Sequence, residues 1–272
     1  MGLVIQFWRD FQLWETSSKL AFLLALAFFP PLLWFVLSTQ DEARTFALIS
    51  LAALGLTLQV IVLWGNRHMV TPYTKAQRAF LAGDLARAQE LLEGVLDSAR
   101  ARQRPVSVDT YVLLGNVYRQ QGNLVQSEAI LARAVSEAPD YHFALYGYGK
   151  TLLAMGDYGE ALTRIKNSLS LGAPSVVQFD VGHVAFRLGD WQEASTMLKA
   201  VLPTLDEPHR ILMAKHLLNR MARATFALDD SLLEGLPLWE REARLYVQTP
   251  YGQALLEDVR AWQTQTHDTK GG

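Results

Sequence analysis

The chain has 272 residues, half of them hydrophobic and 19% charged, with 25 Lys and Arg against 27 Asp and Glu for a net charge of −2. That balance lacks the basic excess of a dedicated DNA or RNA binder, so no nucleic-acid partner is expected. The absence of cysteine excludes a disulfide scaffold, thiolate zinc sites, iron–sulfur clusters and a cysteine nucleophile.

In chain order, the first feature is an apolar face. Val4, Phe7, Trp8, Phe11 and Trp14 recur at three- and four-residue spacing, with Gln6, Arg9, Asp10 and Gln12 largely elsewhere. The pattern predicts an amphipathic helix over residues 1–18, lying in a membrane interface or packed on a partner membrane protein. Two long apolar runs follow, Leu20–Leu37 and Phe46–Trp64, both without a charge. At 1.5 Å per residue each spans roughly 27–28 Å, close to the ~30 Å hydrocarbon core. The twelve Leu, Phe and Val residues of the first run favour insertion by about 4–7 kcal/mol before any proline penalty. Residues 19–67 are therefore expected to form two transmembrane helices. A cleaved signal peptide fits poorly, because the preceding stretch is long and poorly basic and no A-x-A site follows Leu37.

The short connection Ser38–Thr45 makes the pair a hairpin with both termini on one side. Arg9, Lys19, Arg67, Lys75 and Arg78 flank the spans, against Arg44 alone in the loop, so that side is expected to be the cytoplasm of a bacterial-type inner or plasma membrane. Pro30 and Pro31 fall mid-span and displace the carbonyls of Leu26 and Ala27. Folding the hairpin about residues 41–42 sets Ala53 and Gly55 at the same depth. Small residues there would admit a kink, and Thr57 would offer a hydroxyl. No ionisable residue lies inside either run, so a substrate or ion pathway is not expected.

After residue 70 the pattern becomes periodic. Gly83-Asp84, Gly122-Asn123, Gly156-Asp157 and Gly189-Asp190 recur at intervals of 39, 34 and 33 residues. A period near 34 with a central turn reads as a helix–turn–helix solenoid. Glycine supplies the left-handed helix end and Asp or Asn caps the next helix. The segment from Val108 to Asp140 carries Tyr111, Leu114-Gly115, Tyr118, Gly122, Ala134 and Pro139, with Ser127 in place of a usual Ala. Gly149, Gly156-Asp157-Tyr158 and Ala161, then Gly182, Gly189-Asp190-Trp191 and Ala194, repeat it in register. These residues resemble the tetratricopeptide repeat family, over about 75–208 specifically. The resemblance implies an α-solenoid of about four repeats, residues 72–208, which with the N-terminal transmembrane hairpin read from the apolar runs gives an all-α fold. The first unit is degenerate, since Pro72 and Lys75 replace an aromatic and a leucine, and its first helix is expected to be short. The basic stretch Ala99–Pro105 reads as a solvated loop, or as one that touches anionic headgroups. Residues 209–266 read as a degenerate repeat with capping helices, which cover the last apolar face of such an array, and residues 267–272 as a tail.

No H-E-x-x-H, G-x-G-x-x-G, Walker A or G-x-S-x-G motif occurs, so the chain reads as a non-enzyme without cofactor or metal. His209 and His216 can share a helix face, and Asp206-Glu207 and Asp229-Asp230 read as helix caps. What remains is a binding surface. The resemblance implies a concave groove lined by the first helix of each unit. Its places fall on Asn116, Arg119 and Gln120, on Phe143, Tyr146 and Lys150, and on Phe179, His183, Phe186 and Arg187. Aromatics beside cations suit an extended or helical peptide with acidic groups and apolar anchors, with Lys150 and Arg187 meeting the acids. Some of these aromatics, Phe143 and Phe186 above all, read equally well as packing between units. The family's carboxylate clamp is not reproduced, because Val112 stands where a lysine is expected. The layout looks like bacterial two-span tetratricopeptide proteins of the HemY type. The expected function is a membrane-anchored scaffold recruiting a protein partner at the cytoplasmic face for assembly or regulation of a membrane complex. The alternative is a constitutive accessory subunit, held through its hairpin and N-terminal helix by lipids and the transmembrane helices of a larger complex.

Overall fold

The computed structural model describes residues 11, 16–66, 71–223 and 230–270. Every regular element among them is helical, and the chain forms two compact units, Met1–Thr74 and Lys75–Gly272. The amphipathic helix expected over residues 1–18 lies outside the described residues except for Phe11 and Thr16–Ser18.

The first unit holds α1 (Thr16–Ser38) and α2 (Asp41–Asn66). Both are long and apolar enough to cross a membrane. Their seam follows a repeat of three and four residues. Ser18, Ala25 and Val36 of α1 and Ala47 of α2 are buried, and Leu51, Leu54, Leu58 and Ile61 continue the line half-buried. Pro30 and Pro31 sit inside a continuous α1, both exposed. The small-residue patch does not receive them. Ala53 is exposed, and a Cβ added at Gly55 would meet nothing within 4 Å. Thr57 Oγ1 donates to its own helix at Ala53 O, 2.9 Å away. The reason is register: the seam passes through 51, 54 and 58, so 53, 55 and 57 fall on the outer surface.

The second unit is built from helix pairs, α3 (Pro72–Leu81) with α4 (Leu85–Ala101), α5 (Val108–Gln120) with α6 (Leu124–Glu137), α7 (His142–Met155) with α8 (Tyr158–Ser170), and α9 (Val177–Leu188) with α10 (Trp191–Val201). The turn chemistry is as the sequence suggests. Gly83, Gly122, Gly156 and Gly189 have φ of +79°, +82°, +90° and +87°, the left-handed region where a side chain is strained. Asp84, Asp157 and Asp190 then accept from the backbone N–H of Arg87, Glu160 and Glu193. Asn123 makes no such bond. The short α3 opens on Pro72, where its missing N–H costs nothing, and Thr71 Oγ1 accepts from Thr74 N at 3.1 Å.

Within three of the four pairs a glycine of the first helix lets the second approach. A Cβ at Gly149 would lie 2.5 Å from Ile165 Cγ1, and one at Gly182 would lie 2.7 Å from Leu198 Cγ. Gly115 stands likewise against Leu131. Ser127, in the place of the usual Ala, is fully buried and satisfied. Its hydroxyl donates to Gly115 O at 2.7 Å and lies 2.8 Å from Thr151 Oγ1.

Beyond a 3-10 turn (Leu202–Thr204) come α11 (Pro208–Ala222), α12 (Asp230–Leu233), α13 (Leu236–Leu245) and α14 (Pro250–Lys270). The first of these, α11, ends at Ala222, where Arg223 turns left-handed at φ +52°. Glu207 precedes α11 without a side-chain cap bond and pairs instead with Arg210 at 3.5 Å. The stretch read as a tail begins inside α14, which runs to Lys270. Trp239, Tyr246, Tyr251, Leu255, Val259 and Trp262 of α13, α14 and their connection join one core with α7–α11.

Candidate functional site

The first helices of three successive units, α5, α7 and α9, carry the ten residues expected to line the concave face. Their period places equivalents side by side: Tyr146 donates to Asp180 Oδ2 at 2.8 Å, thirty-four residues on. Lys150 Nζ donates to the other oxygen of Asp180 at 2.6 Å. Burial pushes the Asp180 carboxyl up, but Lys150, Tyr146 and Arg210 outweigh it and hold the group below the usual carboxylate range. Asp180 is buried and links two neighbouring units.

Most of this face is covered by the chain's own C-terminal helices. Pro250 packs on Gly156, where a Cβ would come within 2.9 Å of its ring. Leu245 meets Gly122 in the same way at 3.0 Å, and Tyr246 Oη donates to Arg119 O at 3.1 Å. His183 lies against Trp239 and Tyr251, with ring centroids 5.8 and 5.7 Å away. Asp258 enters a ring of bases: Arg187 donates to one of its oxygens, while Arg220 Nη1 and His216 Nε2 lie 2.7 and 3.0 Å from the other. Burial raises the Asp258 carboxyl, yet the hydrogen bond from His216 and the charge of Arg187 drive it far below the ordinary value. Two guanidiniums on one carboxylate repel a cation. Among the described residues no group of three His, Cys, Asp or Glu can hold a metal ion.

The ten expected groove residues therefore divide. Phe179 and His183 are buried, and Arg187 is nearly so in its pair with Asp258. Phe186 is half-buried beneath Arg220, whose guanidinium lies 5.1 Å from its ring. Tyr146 and Lys150 are tied to Asp180. Lys150 and Arg187 are thus internal partners and not free cations awaiting an acidic ligand, because Asp180 and Asp258 already neutralise them. Burial, with the charges of Arg187 and Lys150, holds His183 well below its ordinary value, and Arg187 Nε donates to its Nε2 at 3.2 Å. The other four lie toward the N-terminal end of the array. Asn116 accepts from Arg119 at 3.2 Å, Gln120 is exposed, and Phe143 is 49% exposed beside the rings of His142 and Tyr141.

Sequence reasoning missed Asp180, Asp258 and the aromatics of α13 and α14. The repeat period contained a signal for Asp180, since it stands one period after Tyr146. Nothing local announces Asp258, which lies 71 residues from Arg187 and outside the repeat register.

A second concavity lies elsewhere on this unit. The end of α4, the linker to α5, and α5 and α6 enclose about 380 Å³, bordered by Arg100, Arg104, Tyr111, Arg133 and Glu137. Residues 79–147 match the tetratricopeptide repeat family model. Tetratricopeptide repeat protein 21A of Mus musculus is 30% identical over 122 residues, 43% of this chain, and the match spans 9% of that protein's length. Among solved structures, MamA is similar at 16% identity and a TM-score of 0.45, over 67% of this chain and 95% of the other. A tetratricopeptide repeat protein from Parabacteroides merdae is similar at 18% and 0.46, over 71% and 78%. A Podosopora anserina putative kinesin light chain with TPR-like repeats gives 21% and 0.45, over 72% and 94%.

Proposed function

We propose that this chain, a member of the tetratricopeptide repeat family, is a membrane-anchored scaffold that recruits a protein partner at the cytoplasmic face for the assembly or regulation of a membrane complex. The observation that carries the anchor is the surface of the hairpin. Only 11% and 6% of the two apolar windows are buried within the structure. Phe28 is 62% exposed, Phe46 69% and Trp34 70%. A core helix of a soluble protein buries such side chains; a surface this apolar matches lipid or other transmembrane helices. The hydroxyls of Ser50 and Thr57 on that surface bond carbonyls four residues back within α2, as groups facing hydrocarbon must. The excess of basic residues at the outer ends of the hairpin supports the cytoplasmic side.

The partner surface on this reading is the exposed remainder of the concave face, Phe143 and Gln120 with the half-buried Asn116. Gly147, one turn after Phe143, stands 3.4 Å from Asn116 Oδ1 measured at an added Cβ, so these residues adjoin. An exposed phenylalanine amid polar groups suits a short segment with one apolar anchor. Tethering raises the effective concentration near membrane complexes, so a small footprint suffices. The test is a photo-reactive residue placed at Phe143 or at Leu24 in native membranes. Protein crosslinks at Phe143 are expected. Crosslinks confined to Leu24, in a fixed-ratio complex, would overturn the scaffold and make the chain an accessory subunit held by its hairpin.

A further inference from the structure

The concavity bordered by α4, α5 and α6 has no role in the scaffold reading. It is about 380 Å³, within the range of small-molecule sites. Its lining combines three arginines, one carboxylate and an apolar wall that includes Leu96. The arginines are only lightly engaged. Arg100 is 3.7 Å from Asp97, with both side chains largely exposed. Arg133 bonds Glu137 through Nε at 2.9 Å, and its guanidinium stands 4.6 Å over the buried ring of Tyr111. Arg104 is exposed and reaches no carboxylate among the described residues. Its place is set by the turn at the end of α4, where Gln103 takes φ +50° and Arg104 N donates to Ala99 O at 2.9 Å. Three guanidiniums against Glu137 leave an excess of two positive charges around one cavity.

We propose that this cavity binds a phosphate ester, its phosphoryl oxygens held by Arg100, Arg104 and Arg133 and its organic part against the Leu96 wall. Guanidinium forks match phosphoryl oxygens in geometry, and a phosphate dianion matches the excess charge. The cavity is larger than a bare phosphate needs, so the ligand carries a substituent. A lipid headgroup and a soluble phosphate ester share this chemistry.

The experiment uses the full chain in uncharged detergent micelles, with inorganic phosphate, glycerol 3-phosphate and short-chain phosphatidic acid as probes. Binding is read by calorimetric titration against potassium chloride and succinate at matched ionic strength. Phosphate esters should bind, and Arg100→Gln with Arg104→Gln should weaken binding by about tenfold or more. Both arginines are exposed, so helical content should be unchanged in that variant. Glu137→Gln should strengthen binding, a gain that no loss of folding can imitate. Equal binding of glycerol 3-phosphate and phosphatidic acid supports a soluble ester, whereas binding of phosphatidic acid alone supports a headgroup. Binding no better than succinate, or unchanged in the double arginine variant, overturns the proposal.

Discussion

At the scale of residues, the histidines of the second unit set a pH dependence. Burial and the neighbouring cations hold His183 well below its usual range, and burial with Arg210 lowers His209 to about 4. Both side chains are neutral in the fold and become charged in the unfolded chain below about pH 6.5. The unfolded state then binds more protons, so stability present above pH 6.5 is lost as pH falls toward about 4. Asp180 and Asp258, also depressed, add a further loss only below the ordinary carboxylate range. The thermal unfolding midpoint of the full chain in detergent should therefore drop between pH 7 and pH 4.5, and His209→Gln should flatten part of the slope. A midpoint that stays level or rises over that interval would contradict the burial of neutral His183. The Asp258 ring is the residue-scale feature that couples distant parts of the chain. Removing its carboxylate would leave Arg187 buried without a counter-charge, and such losses cost about 3–5 kcal/mol.

At the scale of elements, close approach within a helix pair decides which glycines matter. Gly149 in α7 faces Ile165, with Ala161 O 3.2 Å from an added Cβ, so backbone as well as side chain would have to move. Gly149→Ala should destabilise the array by about 1–3 kcal/mol through overpacking. Gly94 in α4 has nothing within 4 Å of an added Cβ. Gly94→Ala should instead stabilise by up to about 1 kcal/mol, from helix propensity alone. Denaturant midpoints of the two variants should move in opposite directions, and a common direction would mean that the pair geometry is not as described. The turn glycines have two duties. Gly122 and Gly156 adopt positive φ to end α5 and α7, and their bare Cα atoms admit Leu245 and Pro250. The repeat signature and the covering of the groove thus draw on the same positions.

At the scale of the whole molecule, the two units have different sources of stability. The second buries a continuous core from α7 to α14. The first exposes most of its apolar surface, so its stability depends on what surrounds it. On the proposed reading that surrounding is lipid. An arginine at Leu24, near the middle of α1, should oppose insertion by about 2.5–3.5 kcal/mol. Leu24→Arg should raise the share of protein recovered in the soluble fraction after alkaline extraction of membranes. Full release of the unsubstituted chain by the same treatment would count against the anchor.

Local information was legible from residues alone. The apolar runs predicted α1 and α2 because spanning length and composition are properties of a continuous segment. The Gly-Asp turns predicted the helix pairs because a left-handed glycine and a side-chain cap act within five residues. The short α3 and the small residues between paired helices follow from the same register. The occupancy of the concave face was not legible. It depends on Asp258 meeting Arg187, His216 and Arg220, and on Tyr246 reaching Arg119 across 127 residues. No period links those positions, so a segment read as a cap at the end of the array proves to lie along its groove. The same holds for the hairpin seam. A shift of one or two places along α2 carries Gly55 and Thr57 from the interface to the outer surface, and only the packed pair decides that register. The chain's sequence settled that two long apolar helices and a series of paired helices form, because those choices are made by near neighbours. The tertiary structure decided which faces are left open, because burial is a property of the whole fold.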